Sequence, residues 1–155
     1  MNDVKLREAT PDDIGLLVQM MTEFYAEAGY PLDATRASAA FSDLQRSPML
    51  GRAFLIRAFE VDVGYIVLTL TFSMEYGGLT ACVDDFYIRA SDRGQGAGGA
   101  AMRLMRQIAE SLGVRAIHLE VGRDNDVAQA VYRKAGFVDN DRQLLTLTLA
   151  SRTHE

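Results

Sequence analysis

The chain has 155 residues, of which 48% are hydrophobic and 24% charged, with a formal net charge of −5 at pH 7. This length and composition predict one globular domain over residues 1–155. No apolar run reaches the roughly 20 residues of a membrane span, and the chain has no long basic run of the kind that binds nucleic acid. We therefore expect neither a membrane nor a nucleic acid as partner. One cysteine, Cys82, excludes an internal disulfide, and the N-terminus does not resemble a signal peptide. These features predict a cytoplasmic protein, and the acidic balance suits a cationic substrate.

The first half of the chain predicts one strand and two helices. The strand covers residues 4–8, and Thr10 is typical of the start of the first helix. Apolar residues then recur at helical spacing until Gly29, which is typical of a helix end. The second helix is predicted over residues 34–45, with Asp33 as its N-cap.

Three strands rich in Val, Ile, Leu, Phe and Thr follow, at residues 53–59, 63–74 and 80–88. The short turns between them predict an antiparallel meander. After a glycine-rich segment, the next predicted helix covers residues 102–112.

The last third of the chain predicts a strand at residues 115–121, a helix at 127–135 and a final strand at 143–149, before a solvated tail at 151–155. The order β-α-α-β-β-β-α-β-α-β predicts an α+β domain. We expect a mixed, mostly antiparallel twisted sheet flanked by helices, with one right-handed β-α-β crossover.

The glycine-rich segment, residues 93–100, lies between a strand and a helix and has four glycines in six positions. A strand, a glycine turn and a helix start predict a diphosphate site, because the free amides and the positive end of the helix dipole face the anion. A Walker loop needs Lys and then Ser or Thr, where Gly99 and Ala100 stand here. A dinucleotide loop fits only in a relaxed form and follows the first strand of a parallel sheet.

Two motifs resemble those of the GNAT N-acetyltransferase superfamily. Arg93-x-x-Gly96-x-Gly98 matches its [Gln/Arg]-x-x-Gly-x-[Gly/Ala] pattern, and Asn125 with the later Tyr132-x-x-x-Gly-Phe matches its second signature. The motifs occur in the family's order and in its β-α-β-α frame. The resemblance extends over nearly the whole chain and is closest to the polyamine, diamine and thialysine acetyltransferase branch.

The resemblance implies acetyl-CoA as co-substrate. No pair or cluster of His, Cys and acidic residues has metal-ligand spacing, so we expect no metal. The pyrophosphate is expected on the glycine loop, and the pantetheine arm along the strand before it, which must separate there from the strand at 115–121. The implied cofactor-binding residues are Phe86, Tyr87, Ile88, Arg93, Gly94, Gln95, Gly96, Ala97, Gly98, Gly99 and Asn125. Asn125 is also typical of a helix N-cap, and the two roles are compatible.

The resemblance also implies two catalytic residues, Tyr132 and Asp84. Tyr132 would protonate the departing CoA thiolate, which a lowered tyrosine pKa would help. Asp84 and Asp85 are adjacent on a strand, so only one faces a given cleft unless a bulge intervenes. The resemblance to the polyamine branch favours Asp84. That branch has a glutamate at this position, and the aspartate of this chain is one methylene shorter. Asp84 is therefore a direct base, a base acting through water, or an anchor for a cationic amine.

The implied function is transfer of an acetyl group to a small primary amine, a polyamine, diamine or amino-acid-like amine, by direct attack in a ternary complex. Two alternatives stay open: acetylation of a protein N-terminus or lysine, and a non-catalytic acyl-CoA-binding sensor. A homodimer is an expectation from the family alone. Cys82 and His118 are interpreted as packed strand residues. Four residues of the first helix and its end are candidates for the acceptor cleft: Glu23, Tyr25, Glu27 and Tyr30.

Overall fold

A computed structural model describes residues 3–149, so the predicted tail at 151–155 lies outside the described residues. The strands are β1 (Val4–Glu8), β2 (Gly51–Ala58), β3 (Val61–Ser73), β4 (Gly78–Ile88) and β5 (Ile117–Leu119). The helices are α1 (Ile14–Ala28), α2 (Ala34–Arg46), α3 (Ala97–Ser111) and α4 (Asp126–Lys134). The strands form one sheet in the order β1-β2-β3-β4-β5, antiparallel except for the parallel β4–β5 pair. The predicted α+β class is confirmed.

The helix ends show why these residues form these helices. The Asp33 carboxylate accepts the amide of Arg36 at 3.1 Å and starts α2, while Gly29 ends α1 in the left-handed region with φ 75°. Thr10 precedes a 3₁₀ turn that leads into α1. Helix α3 begins at Ala97, five residues before the predicted start, because the left-handed Gly96 (φ 86°) is its N-cap. The last two loop glycines are therefore helical.

The sheet carries a separate apolar layer on each face. Helix α3 packs on one face, over a cluster that includes Ile66, Leu68 and Met105. Helices α1 and α2 pack on the other, over a cluster that includes Leu17 and Tyr65. Burial of both layers supplies the main driving force for the fold.

A β-bulge in β4 changes which side chains face which helix. Val67 of β3 pairs with Asp85 and the next residue, Leu68, pairs with Val83, so Asp84 is an extra residue without a partner. Val83 and Phe86 consequently lie against the α3 layer, whereas Asp85 belongs to the α1 face. The bulge thereby directs one of the two adjacent aspartates under helix α1.

The predicted final strand at 143–149 is wrong. These residues lie in no strand, and the four leucines among them are 68–86% exposed. The alternating pattern is that of a strand, but a strand also requires pairing with another strand, and no strand in the described part of the chain pairs with this segment. No helix in the described residues is long and apolar enough to cross a membrane.

Candidate functional site

The edge of β4 that faces β5 is paired over only three residues. Ala81, Cys82 and Val83 pair with Ile117, His118 and Leu119, respectively. Beyond Val83, residues 84–88 keep their partners in β3, but no described strand pairs with their other edge. The predicted separation of these two strands is confirmed. It leaves a row of backbone N–H and C=O groups that an extended ligand arm can pair with.

The glycine loop leads from the end of β4 into the N-terminus of α3. Ala100 donates the first intrahelical hydrogen bond, to the Gly96 carbonyl at 3.1 Å, so the amides of residues 97–99 have no acceptor within the helix. Gly94 and Gly96 have φ of 76° and 86°, which glycine adopts without strain. Gln95 is exposed and Ala97 is buried.

Gly98 and Gly99 have no such backbone requirement. A Cβ at Gly98 would lie 3.6 Å from Phe86 Cζ, and one at Gly99 would lie 3.7 Å from an Arg103 nitrogen, both ordinary contacts. The protein's own atoms would therefore accept alanine at both positions. Bare glycines instead keep the surface open for a ligand to approach the first-turn amides, and this arrangement fits a pyrophosphate group.

Arg93 is held by protein contacts. Its guanidinium donates to the Ile88 carbonyl at 2.8 Å, pairs with Glu27 of α1 at 2.7 Å and lies 5.6 Å from the Tyr87 ring centroid. A second ion pair joins Arg89 to Glu23 of α1 at 3.2 Å. Glu23 and Glu27, which were predicted as candidates for the acceptor cleft, thus link the end of β4 to helix α1 through ion pairs.

The side chains of the three β4 residues beside the open edge point to both faces of the sheet. Tyr87 is buried and stacks on Phe24 of α1, with ring centroids 5.4 Å apart. Phe86 lies 6.3 Å from the Tyr132 ring in the α3 layer, and Ile88 is 9% exposed. These contacts hold the strand from both faces of the sheet beside its open backbone edge.

Asp85 is a buried carboxylate with two tyrosine partners. The Tyr65 hydroxyl donates to Asp85 Oδ2 at 2.9 Å, and the Tyr25 hydroxyl donates to Oδ1 at 3.4 Å. Burial raises the pKa of Asp85 to about 6, against the opposing effect of the Tyr65 hydrogen bond, and the negative charge of Asp84 raises it further. The pKa of Tyr25 is raised to about 12, first by burial and then by the two aspartates. Asp85 therefore carries a proton at mildly acidic pH and is ionised above it.

Asp84 lies on the bulge with its side chain exposed. It adjoins the open edge of β4, so the structure brings both aspartates to the end of the predicted pantetheine site. The residue that sequence reasoning missed is Tyr65. The alternating pattern of β3 was its signal, because it puts Tyr65 on the same face as Val67. Only the bulge places Asp85 opposite Val67 on that face.

Tyr132 lies on α4, and Asn125 is the residue just before its first turn. Tyr132 is half-buried between the rings of Phe86 and Phe137, and burial raises its pKa instead of lowering it. The Asn125 side chain accepts the Ala128 amide at 3.2 Å and caps the helix. A raised pKa keeps the Tyr132 hydroxyl protonated at neutral pH.

The other two candidate residues lie beside β5. Burial raises the pKa of the half-buried Cys82 thiol, which makes it a weaker nucleophile. His118 is exposed rather than packed, and its ring lies 5.6 Å from the Tyr76 ring.

Comparison with known proteins agrees with this geometry. The model of the acetyltransferase (GNAT) family matches residues 18–137, well over half of the chain. An integron cassette protein, HFX_CASS3, from the mobile metagenome of Cole Harbour Salt Marsh is 46% identical. Its crystal structure superposes with a TM-score of 0.85 over 97% of this chain and 93% of that one. The chain belongs to the acetyltransferase (GNAT) family.

Two further relatives are more distant. A predicted acetyltransferase from Clostridium acetobutylicum, crystallised with acetyl-CoA, is 20% identical with a TM-score of 0.75, over 93% of this chain and 96% of that one, and shares the fold. The uncharacterized protein ML0378 of Mycobacterium leprae (strain TN) is 33% identical over 131 residues, 83% of this chain. The match covers only 33% of that relative's length.

Proposed function

We propose that the protein transfers an acetyl group from acetyl-CoA to a small primary amine by direct attack in a ternary complex. One juxtaposition carries the proposal: the open edge of β4 at residues 84–88 has the first turn of α3 at one end and two aspartates at the other. A donor arm and an acceptor amine would meet at this strand segment.

The donor end uses mainly backbone groups. Acetyl-CoA supplies a thioester whose acetyl group is transferred. The amides of residues 97–99 would hold its pyrophosphate, and the edge of residues 86–88 would pair with the pantetheine arm, an N–H there polarising the carbonyl. Gly94 and Gly96 would shape the loop, and Gln95 and Asn125 would add contacts. Arg93 would position the loop through Glu27 or contact the phosphate directly.

The acceptor end must remove a proton from the amine, whose reference pKa is about 10.4. We assign this proton to Asp85, because a carboxylate with a pKa of about 6 is a stronger base than an ordinary aspartate and is still ionised at neutral pH. Asp84, exposed beside it, would attract the ammonium group. The earlier prediction that Asp84 is itself the base stays as the competing assignment.

Three proton movements accompany the transfer. Asp85 takes the first proton from the ammonium group, and the neutral nitrogen then bonds to the acetyl carbon as the carbon–sulfur bond breaks. The second proton leaves the nitrogen and replaces the one that Tyr132 gives up. Tyr132 donates its hydroxyl proton to the leaving sulfur, because burial keeps that hydroxyl protonated. The adjacent acids favour a cationic acceptor, so polyamines, diamines and amino-acid-like amines are the proposed class.

The test measures CoA thiol release over a panel of putrescine, spermidine, lysine and two peptides, one with a free N-terminus and one with an internal lysine. The Cys82→Ala variant serves as background to exclude the protein's own thiol. We expect turnover with small amines and at least tenfold lower kcat/KM with both peptides. Turnover confined to peptides would contradict the acceptor class. Acetyl-CoA binding by calorimetry without turnover on any amine would indicate a sensor.

Asp84→Asn and Asp85→Asn form a matched pair on adjacent residues of β4. If Asp85 is the base, Asp85→Asn lowers kcat at least 100-fold, and the fall of kcat below about pH 6 disappears from its pH profile. Asp84→Asn instead mainly raises KM for the amine. The reverse pattern would assign the base to Asp84.

A further inference from the structure

The two oxygens of the buried Asp85 carboxyl have different access to solvent. Asp85 is 9% exposed. Its Oδ2 accepts the hydroxyl of Tyr65, a completely buried residue, at 2.9 Å. Its Oδ1 accepts the hydroxyl of Tyr25, a residue of α1 that is only partly buried, at 3.4 Å. Of the two tyrosines that contact the carboxyl, Tyr25 is therefore the one that solvent reaches.

The titratable groups around this carboxyl come from three elements. Helix α1 supplies Tyr25, β3 supplies Tyr65, and the strand of Asp85 itself supplies Asp84. Helix α2, which packs on the same face, contributes the apolar ring of Phe41, whose centroid lies 6.2 Å from that of Tyr65. The charges of both aspartates act on the Tyr25 hydroxyl, and Asp84 is exposed. An ammonium group drawn to Asp84 is thereby brought beside Tyr25.

Aromatic contacts hold the ring of Tyr25, and its hydroxyl is suited to exchange protons. The ring packs edge-on against Phe24, with centroids 5.5 Å apart, and against Tyr30, with centroids 6.2 Å apart. The hydroxyl stays protonated at neutral pH, because burial and the two aspartates raise its pKa to about 12. A neutral hydroxyl can accept a proton at a lone pair while it donates its own. Tyr25 thus has the chemistry of a relay between an ammonium group and a carboxylate.

We infer that the Tyr25 hydroxyl is a further catalytic group, which carries the proton of the acceptor amine to Asp85. The proton leaves the ammonium nitrogen for Tyr25 Oη as the Oη–H proton passes to Asp85 Oδ1. The amine and Tyr25 end neutral, and Asp85 ends protonated. Tyr65, on the other oxygen, only sets how strongly the carboxyl holds its proton. The inference rests on the proposed function, which makes Asp85 the base.

Tyr25→Phe and Tyr65→Phe form a matched pair, because each removes one hydroxyl from the same carboxyl and keeps the ring. Both hydrogen bonds lower the pKa of Asp85, so the fall of kcat at acidic pH should begin at higher pH in both variants. The acceptor is the fastest of putrescine, spermidine and lysine. On the plateau above that fall, we expect kcat to drop at least 30-fold in Tyr25→Phe and to stay within about threefold in Tyr65→Phe. Equal plateaus in the two variants would overturn the inference. Circular dichroism melting verifies that each variant is folded.

An acceptor that is already neutral isolates the proton step. At pH 8, 2,2,2-trifluoroethylamine has no ammonium proton to remove, so Tyr25→Phe and Asp85→Asn should both acetylate it within about threefold of the parent rate. A loss in Tyr25→Phe that persists with this amine would overturn the relay, because it would indicate a role in binding or positioning.

Comparison with Asp85→Asn separates this inference from the proposed function. With the cationic acceptor, the double variant Tyr25→Phe/Asp85→Asn should be no slower than Asp85→Asn alone, because the two groups act in one step. If Asp85→Asn loses kcat and Tyr25→Phe keeps it, the relay alone is wrong. If Asp85→Asn keeps kcat, the base assigned in the proposed function is wrong, and the relay falls with it.

Discussion

Tyr65 donates a hydrogen bond to Asp85 at 2.9 Å from the neighbouring strand, on the face of the sheet that helix α1 covers. The two side chains meet only because the bulge at Asp84 turns Asp85 to that face. A buried carboxylate without partners would be costly, and the hydrogen bonds from Tyr65 and Tyr25 offset part of that cost. The pKa of Asp85 remains raised, to about 6, so burial outweighs the hydrogen bonds.

This raised pKa makes the stability of the protein fall as pH rises. An unfolded aspartate has a pKa of about 3.9. Between roughly pH 4 and pH 6 the folded protein therefore binds more protons than the unfolded chain, and the free energy of unfolding drops by about 2 to 3 kcal/mol. We expect Asp85→Asn to lose this drop and to be more stable than the parent at pH 8. Urea unfolding of both proteins at pH 4.5, 6 and 8 measures this change in the free energy of unfolding.

The control for this measurement is Asp84→Asn, which removes an exposed carboxylate one residue away. Its unfolding free energy should still drop as pH rises, by less than in the parent, because loss of the Asp84 charge removes one of the causes that raise the pKa of Asp85. Parallel curves for the parent and Asp85→Asn would show that Asp85 has an ordinary pKa in the folded protein.

Replacing Tyr132 with Phe tests the proposed proton donor. The described contacts of Tyr132 are ring contacts with Phe86 and Phe137, which Phe preserves, so the melting temperature should change little. We expect kcat to fall about 100-fold with unchanged acetyl-CoA affinity, the effect of removing a general acid. Tyr76→Phe, a partly exposed tyrosine at the hairpin tip, serves as control and should keep full activity. Full activity in Tyr132→Phe would contradict the donor role.

The sequence predicts those parts of the fold that depend on local chemistry. Asp33 and Gly29 bound their helices as expected, because caps act within one turn. The bulge at Asp84 could not be predicted, since it depends on the register between β3 and β4 and not on any residue type. The adjacent acids were found from the motif, but which of them is buried followed only from that register.

The predicted final strand is the opposite case, because here the local sequence pattern is present and the strand is not. Residues 143–149 have the correct alternation, and the prediction of a strand used that local signal alone. Strand formation is nonlocal, because every hydrogen bond of the strand's ladder joins it to another segment. In the described chain, Arg142 is held by Glu75, and the leucines beyond it have no neighbouring strand.

The Arg93–Glu27 ion pair predicts a positioning effect on the donor site. Because the pair is about half exposed, its loss should cost well under 1 kcal/mol of stability. Glu27→Gln leaves Arg93 bonded to the Ile88 carbonyl but frees the loop from α1. We expect the Kd for acetyl-CoA to rise about threefold in Glu27→Gln and at least tenfold in Arg93→Ala. Arg106→Ala, which removes an exposed ion pair on α3, is the control. Unchanged affinity in Arg93→Ala would contradict its assignment to the cofactor site.

Alanine substitutions in the glycine loop separate backbone strain from ligand contact. Gly96 and Gly113 both have positive φ, so alanine at either position should cost roughly 1 kcal/mol of stability. Only Gly96 belongs to the loop, and only Gly96→Ala should also weaken acetyl-CoA binding. Gly98 is helical, and its new Cβ would meet only Phe86 at an ordinary distance. Gly98→Ala should therefore hold or slightly raise the melting temperature, because alanine favours a helix by up to about 1 kcal/mol.

The informative outcome is the combination of effects in Gly98→Ala. If the first-turn amides of α3 hold a pyrophosphate, a methyl group beside them obstructs the ligand, and isothermal titration should show at least tenfold weaker acetyl-CoA binding in a fully folded protein. Gly113→Ala should show the reverse, lower stability with parent-like affinity. Parent-like affinity in Gly98→Ala would mean that the ligand does not approach this turn, and the donor site would have to lie elsewhere along β4.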